Sequence, residues 1–289
     1  MLVCGCSPRQ YALNRAAAAL AGSGETFASD DDPDLIAGAA PFSLKLMDSV
    51  LAEDPAHVGL LTAAAKAYTQ YAFAFVQQDG EALEDTDLAK ATQRLDRARR
   101  LYARGRAYAL RGLDVVHPQM SASLDMEPKQ AVKRARKEDV ALLYWAAVAT
   151  GAWVALSKDS PAAVAKVPAV EALIDRSLEL DEAWDTGAIH VFLISYELNR
   201  VQRSGDPVAR ARAHFRRAVE LSHGQQAAPF VALAEAVSVS IQDRGEFQRL
   251  LGQALAIDVD ARPEWRLANI VMQRRARWLL SRTDELFAE

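Results

Sequence analysis

Cysteine is almost absent from this chain: its 289 residues include two, Cys4 and Cys6, both within six residues of the start. The remaining sequence therefore has no thiol for catalysis and no possible internal disulfide. Runs of alternating β-branched residues bounded by turn signals are also missing, which excludes a fold built around a sheet. There is no glycine-rich phosphate loop, nucleophile elbow, dinucleotide fingerprint or His-Glu-x-x-His pair. The five histidines, His57, His117, His190, His214 and His223, are scattered without zinc-ligand spacing. No metal or cofactor site is legible, and no catalytic constellation points to an enzyme. An excess of one charge sign is lacking too. The formal net charge of −4 gives no general attraction to nucleic acid or anionic membranes.

What is present is helix. Hydrophobic residues make up 51% of the chain and charged residues 25%, the balance of a soluble, alanine-rich helical protein. In the stretch Arg176 to Tyr196, an amphipathic pattern ends in Leu178-Glu-Leu-Asp181 and a second begins after a very short turn. This is the pattern of a helical-hairpin repeat. Related endings recur at Val50 to Asp54, Ala218 to Ser222 and Ala254 to Asp258. Leu61, Ala64, Ala65 and Tyr68 come after Pro55 at 6, 9, 10 and 13 residues, the spacing of packing positions in a tetratricopeptide repeat. The equivalent positions Asp181, Ser222 and Asp258 are 41 and 36 residues apart, so the repeats are divergent. The expected fold is all-α: cryptic tetratricopeptide-like hairpins forming a compact α-solenoid over 33–289. Residues 7–32 form a tether with an N-terminal helix, and residues 1–6 are a remnant of a lipoprotein signal.

Start and stop signals divide the chain further. A helix over Tyr11 to Ala21 breaks at Gly22-Ser-Gly24. Asp30-Asp-Asp-Pro33 caps the entry to a first hairpin, with helices over Pro41 to Leu51 and His57 to Val76 ending at Asp79-Gly80. Asp85-Thr-Asp87 caps a long helix to about Val116, and His117 to Asp139 reads as a loop. Val140 to Leu156 is seventeen residues without charge, near the lower limit for a membrane span, and reads instead as a buried central helix. The long helix carries Arg94, Arg97, Arg99, Arg100, Arg104, Arg106 and Arg111 opposite its apolar seam. The only interleaved aromatics are Tyr102 and Tyr108, acidic residues balance the total charge and no base-reading motif is present, so this is a solvated or oligomer-facing surface rather than a nucleic-acid patch.

The candidate contact residues are aromatic or polar side chains placed where repeats form an inner groove. Tyr68 is one, and Tyr144, Trp145, Trp153 and Trp184 either line a cavity or fill the core. His190 shares a helical face with Ala183, Gly187, Ile194 and Glu197, while Gly187 lets a neighbouring helix approach closely. His190 is therefore either a hydrogen-bonded core histidine or a groove contact for a ligand. Asn269 either holds a partner's backbone or cross-links its own helices.

Val3-Cys-Gly-Cys6 has the form of a bacterial lipobox in which Cys6 would carry the lipid, although five preceding residues cannot supply a signal's charged and apolar regions. A lipid anchor would be the chain's only membrane attachment, placing it in the periplasm; if Met1 is the true start, the location is cytoplasmic. Several segments together resemble the TatT (T component) lipoproteins of tripartite ATP-independent periplasmic (TRAP) transporters. They include Ala39 to Met47, Leu101 to Leu110, Leu143-Tyr-Trp145, Leu178 to Asp181 with Gly187-Ala-Ile-His190, Ala213 to Ser222, and Arg266 to Asn269 with Ala276 to Leu280. The resemblance implies a homo-oligomer, with a trimer among the options, that associates with the substrate-binding P component. The implied ligand is a small, hydrophobic organic acid. The contrasting reading is a small-molecule or lipid binder or channel formed by a helical-repeat oligomer without a TRAP partner.

Overall fold

The computed structural model describes residues 8–22, 24–200 and 204–287, with side chains from Asn14 onward. Cys6 and the rest of the lipobox lie outside the described residues. The described chain is helical throughout with no strand, which establishes the all-α class. It divides into two compact units. Unit 1 comprises residues 1–26 and 34–180; unit 2 comprises 27–33 and 181–289. The expected repeat region, 33–289, covers the larger part of each.

Unit 1 begins with α1 (Pro8–Gly22) and α2 (Pro33–Glu53). Helix α2 starts at Pro33, at the expected Asp30-Asp-Asp-Pro33 cap, and runs through Pro41 instead of beginning there. Proline removes one backbone donor there, but Leu44, Met47, Val50 and Leu51 continue a buried stripe beyond it. That stripe packs on Leu60, Leu61 and Ala64 of α3 (Val58–Ala72). Among the described residues α2 alone is long and apolar enough to cross a bilayer by length and composition. One of its faces is nevertheless buried in protein. The opposite face leaves Leu35, Ala39, Phe42 and Leu46 exposed at alternating spacings of four and three, with Phe42 73% exposed.

His57 caps α3 by accepting from the Leu60 amide at 3.0 Å. The helix continues past the expected stop at Asp79-Gly80, through a π-helical turn over Phe73–Gln77 and a last turn over Gln78–Glu81. A π turn inserts one residue and rotates the side chains beyond it to a new direction. Here Gln77 meets α4 (Leu88–Val116), accepting from the Tyr102 hydroxyl at 2.6 Å. Asp87 caps α4 as its sequence predicts, accepting from the Lys90 amide at 3.0 Å. A Cβ at Gly105 would lie 2.6 Å from Thr69 Oγ1, so only glycine lets α4 approach α3 this closely.

The expected loop over 117–139 is instead short helices, Met120–Met126 and Pro128–Ala131, followed by 3₁₀ turns. Proline at the first turn of one and buried Met120, Leu124, Ala131 and Val132 give the segment its own packing, a signal outweighed in sequence by its charged end. His117 Nε2 and Asp139 Oδ2, 2.7 Å apart, fasten the end of α4 to the entry of α5 (Val140–Ala155). Residues from Val140 to Thr150 of α5 are largely buried, and α6 (Val167–Leu180) packs along it.

Unit 2 contains α7 (Ala188–Tyr196), α8 (Pro207–Leu221), α9 (Ala228–Leu233), α10 (Arg244–Leu255) and α11 (Arg266–Ser281). The hairpin expected across Arg176 to Tyr196 is thus divided: α6 packs on α5 in unit 1, and α7 packs on α8 in unit 2. Asp206 caps α8 through the amides of Val208 and Ala209, with Pro207 in the first turn. Helix α9 passes into a π turn over Ala234–Ser238 whose Ser238 hydroxyl donates to Glu246 of α10 at 2.8 Å. The core is Phe230, Val231, Leu233, Val237, Phe247, Leu250, Leu251 and Leu279.

Candidate functional site

The polar centre of unit 2 grows from the entry to α7. Asp185, Thr186 and Gly187 all have positive φ, so the chain turns through the left-handed region and α7 starts only at Ala188. This corrects the expected helical face: Ala183 and Gly187 precede the helix that carries His190. Thr186 is the costly member, because a β-branched residue fits the left-handed region poorly. Its hydroxyl accepts from the Gln226 amide at 2.8 Å. Gly187, at φ +94°, sits so close to α8 that a Cβ would lie 3.3 Å from the Ala218 Cα. The close approach inferred for Gly187 is therefore present, with a backbone requirement added.

Seated by this turn, His190 is 5% exposed. Its Nδ1 lies 2.8 Å from Nδ1 of His214 on α8, and the rings are 5.1 Å apart. Such a contact needs one nitrogen to donate and the other to accept, so the pair shares a proton. The accepting imidazole must then carry its own proton on Nε2, where each ring faces a carboxylate. His190 Nε2 is 3.5 Å from Glu182 Oε2, and His214 Nε2 is 3.9 Å from Glu197 Oε1. Both separations are long for hydrogen bonds, and in the neutral pair only the accepting ring turns an N–H toward its carboxylate.

Glu197 is fully buried and accepts from Arg210 Nε at 2.5 Å, with Arg200 Nε at 3.0 Å. Arg217 bridges Glu182 at 2.5 Å and Glu220 at 2.8 Å. With both imidazoles neutral, three guanidiniums face Glu182 and Glu197, and Glu220 lies at the outer edge. One added proton, on Nε2 of the donating ring, keeps the internal hydrogen bond but adds charge to a buried site; protonating both rings would break that bond. Burial, reinforced by Arg217 and opposed by Glu182, holds the pKa of His190 below its ordinary 6.5. Arg217, working against desolvation, holds Glu182 below the usual carboxylate range. The cluster can store and share a proton between α7 and α8, and among the described residues no three His, Cys, Asp or Glu are arranged to hold a metal.

Asn269, also in unit 2, is 3% exposed. Its Oδ1 accepts from the Ala227 amide at 2.9 Å and its Nδ2 donates to the Gln225 carbonyl at 3.0 Å. The amide therefore cross-links α11 to the loop before α9. Trp184 is partly buried in the turn leading to Gly187.

Unit 1 holds the other candidates. Tyr68 is 1% exposed and donates to Asp48 at 2.9 Å; Tyr108 donates to the same carboxylate at 2.6 Å, and Lys45 lies 2.6 Å away. Burial raises the Asp48 pKa, but these three donors outweigh it and leave the carboxyl below its usual value. Burial and Asp48 push the Tyr108 hydroxyl up to about 12, so both phenols stay protonated as donors. Tyr144 and Trp145 are buried in an edge-to-face pair 5.0 Å apart. Trp153 is partly exposed beneath the Arg106 guanidinium at 5.5 Å.

Within unit 1, Tyr68 lies in a hydrogen-bonded cluster and Tyr144 in an edge-to-face ring pair with Trp145; within unit 2, His190 meets His214. His214, Glu197, Glu182 and Arg210 were missed as functional candidates. The available signal was modest: Glu197 and Arg200 stand one turn apart, and His214 lies on the strongly amphipathic helix after Asp206-Pro207. No spacing rule pairs His190 with a residue 24 positions away.

Residues 29–287 match the sequence profile of a family described as TRAP transporter T-component (TAtT). A protein of Treponema pallidum (strain Nichols), bearing the name "Uncharacterized protein", is 28% identical over 267 residues, spanning 91% of this chain and 83% of the relative.

Proposed function

The chain belongs to the TRAP transporter T-component family, and on that basis we propose that it is a non-enzymatic periplasmic scaffold that associates with the substrate-binding P component and assists uptake of a small, hydrophobic organic acid. A lipid on Cys6 tethers the scaffold to the membrane, where acyl chains contribute about 0.8 kcal/mol per buried methylene. Protomers assemble into a homo-oligomer.

The observation that carries this reading is the family match across 29–287, nearly the whole helical body. The organisation of the polar side chains agrees with it. His190, Asn269 and Tyr68 are buried and bonded within their own units, so association through exposed helix faces accounts for the fold better than chemistry at a cleft. Soluble protein beginning after Cys6, immobilised and exposed to the periplasmic fraction of its own cell, should retain a TRAP P subunit. Retention of unrelated proteins or of none, repeated with cross-linker, overturns the reading.

A further inference from the structure

The exposed face of α4 carries Arg97, Arg100 and Arg104 at i, i+3 and i+7. At about 1.5 Å rise per residue they span roughly 10 Å along the helix. No described carboxylate forms an ion pair with any of the three, although their neighbours Arg94 and Arg99 pair with Asp79 at 3.5 Å and Asp96 at 2.9 Å. Asp48, the carboxylate behind them, is already engaged by Lys45, Tyr68 and Tyr108. In a chain of net charge −4 this is a local, uncompensated positive strip.

Two of its members are also held in place. Arg97 donates to the Tyr71 hydroxyl at 3.2 Å and lies 5.7 Å from that ring's centre. Arg104 donates to the Tyr68 hydroxyl at 3.4 Å and lies 5.6 Å from that ring. A guanidinium already stacked on an aromatic loses less side-chain freedom when it meets a carboxylate.

We propose that Arg97, Arg100 and Arg104 form a docking strip for a carboxylate-rich face of a protein partner, the P component under the scaffold reading on which this rests. Fixed carboxylates on a folded surface match the regular spacing and planar donor geometry of the three guanidiniums. A lipid surface fits less well: polybasic lipid attachment uses more cations or an apolar wedge, and the exposed flanking positions are Gln93 and Ala107. Single-stranded nucleic acid would need open aromatic platforms, whereas Tyr68 and Tyr71 are 1% and 8% exposed beneath the arginines.

The test is the affinity of the purified P subunit for the full chain and for a triple variant, Arg97→Glu, Arg100→Glu and Arg104→Glu, at low and physiological salt. The expected result is at least a tenfold loss of affinity and a shallower salt dependence. A triple Arg→Lys variant should keep an intermediate affinity, and circular dichroism should show all three proteins equally helical. Equal binding by parent and triple-Glu variant overturns the strip and leaves the scaffold reading standing. If the parent binds no P subunit, the scaffold reading falls, and a synthetic helical peptide with Glu at i, i+3 and i+7 decides about the strip. Binding to the parent but not to the triple-Glu variant supports it. No binding, or equal binding, overturns it, as does charge-dependent binding confined to vesicles containing phosphatidylglycerol.

Discussion

The two units differ in how much charge they bury and how much apolar surface they expose. Among the described residues, unit 1 exposes Leu35, Phe42, Leu46, Leu88, Val115, Val116, Met126 and Val164, whereas the corresponding large exposed hydrophobic of unit 2 is Ile241. Unit 1 also leaves Arg97, Arg100 and Arg104 without carboxylate partners. Unit 2 draws ionic groups inward: Glu197, Arg200 and Arg275 are all less than a tenth exposed, and Arg275 pairs with Glu235. Both units insert a π turn near the end of a helix and use it to anchor a polar contact, Gln77 to Tyr102 in one and Ser238 to Glu246 in the other. The same helical device thus occurs in a unit with exposed apolar and cationic side chains and in a unit with buried charge pairs.

The largest test of this contrast is Glu197→Ala. Removing one partner from a buried ionic cluster takes a carboxylate away from Arg200 and Arg210, at a cost of about 3 to 5 kcal/mol. Urea unfolding should show that loss, and hydrogen exchange should confine it to unit 2. A loss below about 1 kcal/mol would mean that the buried charges do not hold the unit together.

Gly187→Ala comes next. It combines a positive φ with a Cβ placed 3.3 Å from the Ala218 backbone. The backbone conformation alone costs about 1 to 2 kcal/mol for a residue with a side chain, and the crowding adds to it. The drop in melting temperature should appear in unit 2 exchange and be absent from unit 1.

Acidification sharpens the comparison further. His190 has a folded pKa below its unfolded 6.5, so its contribution is complete above that pH and declines as pH falls toward the folded value. The decline is at most about 1.4 kcal/mol per pH unit for each proton. The groups facing the pair are Glu182 and Arg217 on one side and Glu197, Arg200 and Arg210 on the other. Stability measured from pH 7 to 5 should therefore fall in unit 2, with the histidine part of the slope removed in a His190→Asn, His214→Asn double variant. An unchanged slope in that variant would assign the titration to other groups.

The smallest expected effect is in unit 1. Phe42→Ser removes a 73% exposed ring from α2 and should alter the isolated protein's stability by no more than about 0.5 kcal/mol. A cost well above that would show that the ring is covered in solution.

Local chemistry made much of the helix order legible. Asp87, Ser160 and Asp206 have short oxygen-bearing side chains that satisfy the free amides of a first turn, and all three cap helices here. The α5 segment had no charge to place in water and is largely buried from Val140 to Thr150. Two readings failed for related reasons. The segment 117–139 contains apolar residues whose packing is invisible beside its charged end, and Pro41, read as the start of a helix, lies inside one because continued packing offsets its missing donor.

By itself the sequence determined the all-helical class, most helix boundaries and the unusual status of Gly187 and His190, because caps, periodicity and a missing side chain act over a few residues. Tertiary structure alone decided that Arg176 to Tyr196 is shared between two units and that His190 meets His214. It also decided that Glu197 lies buried between arginines and that Asn269 serves its own fold. Those outcomes depend on which helix faces meet across tens of residues, and contacts of that range leave no fixed spacing in the chain.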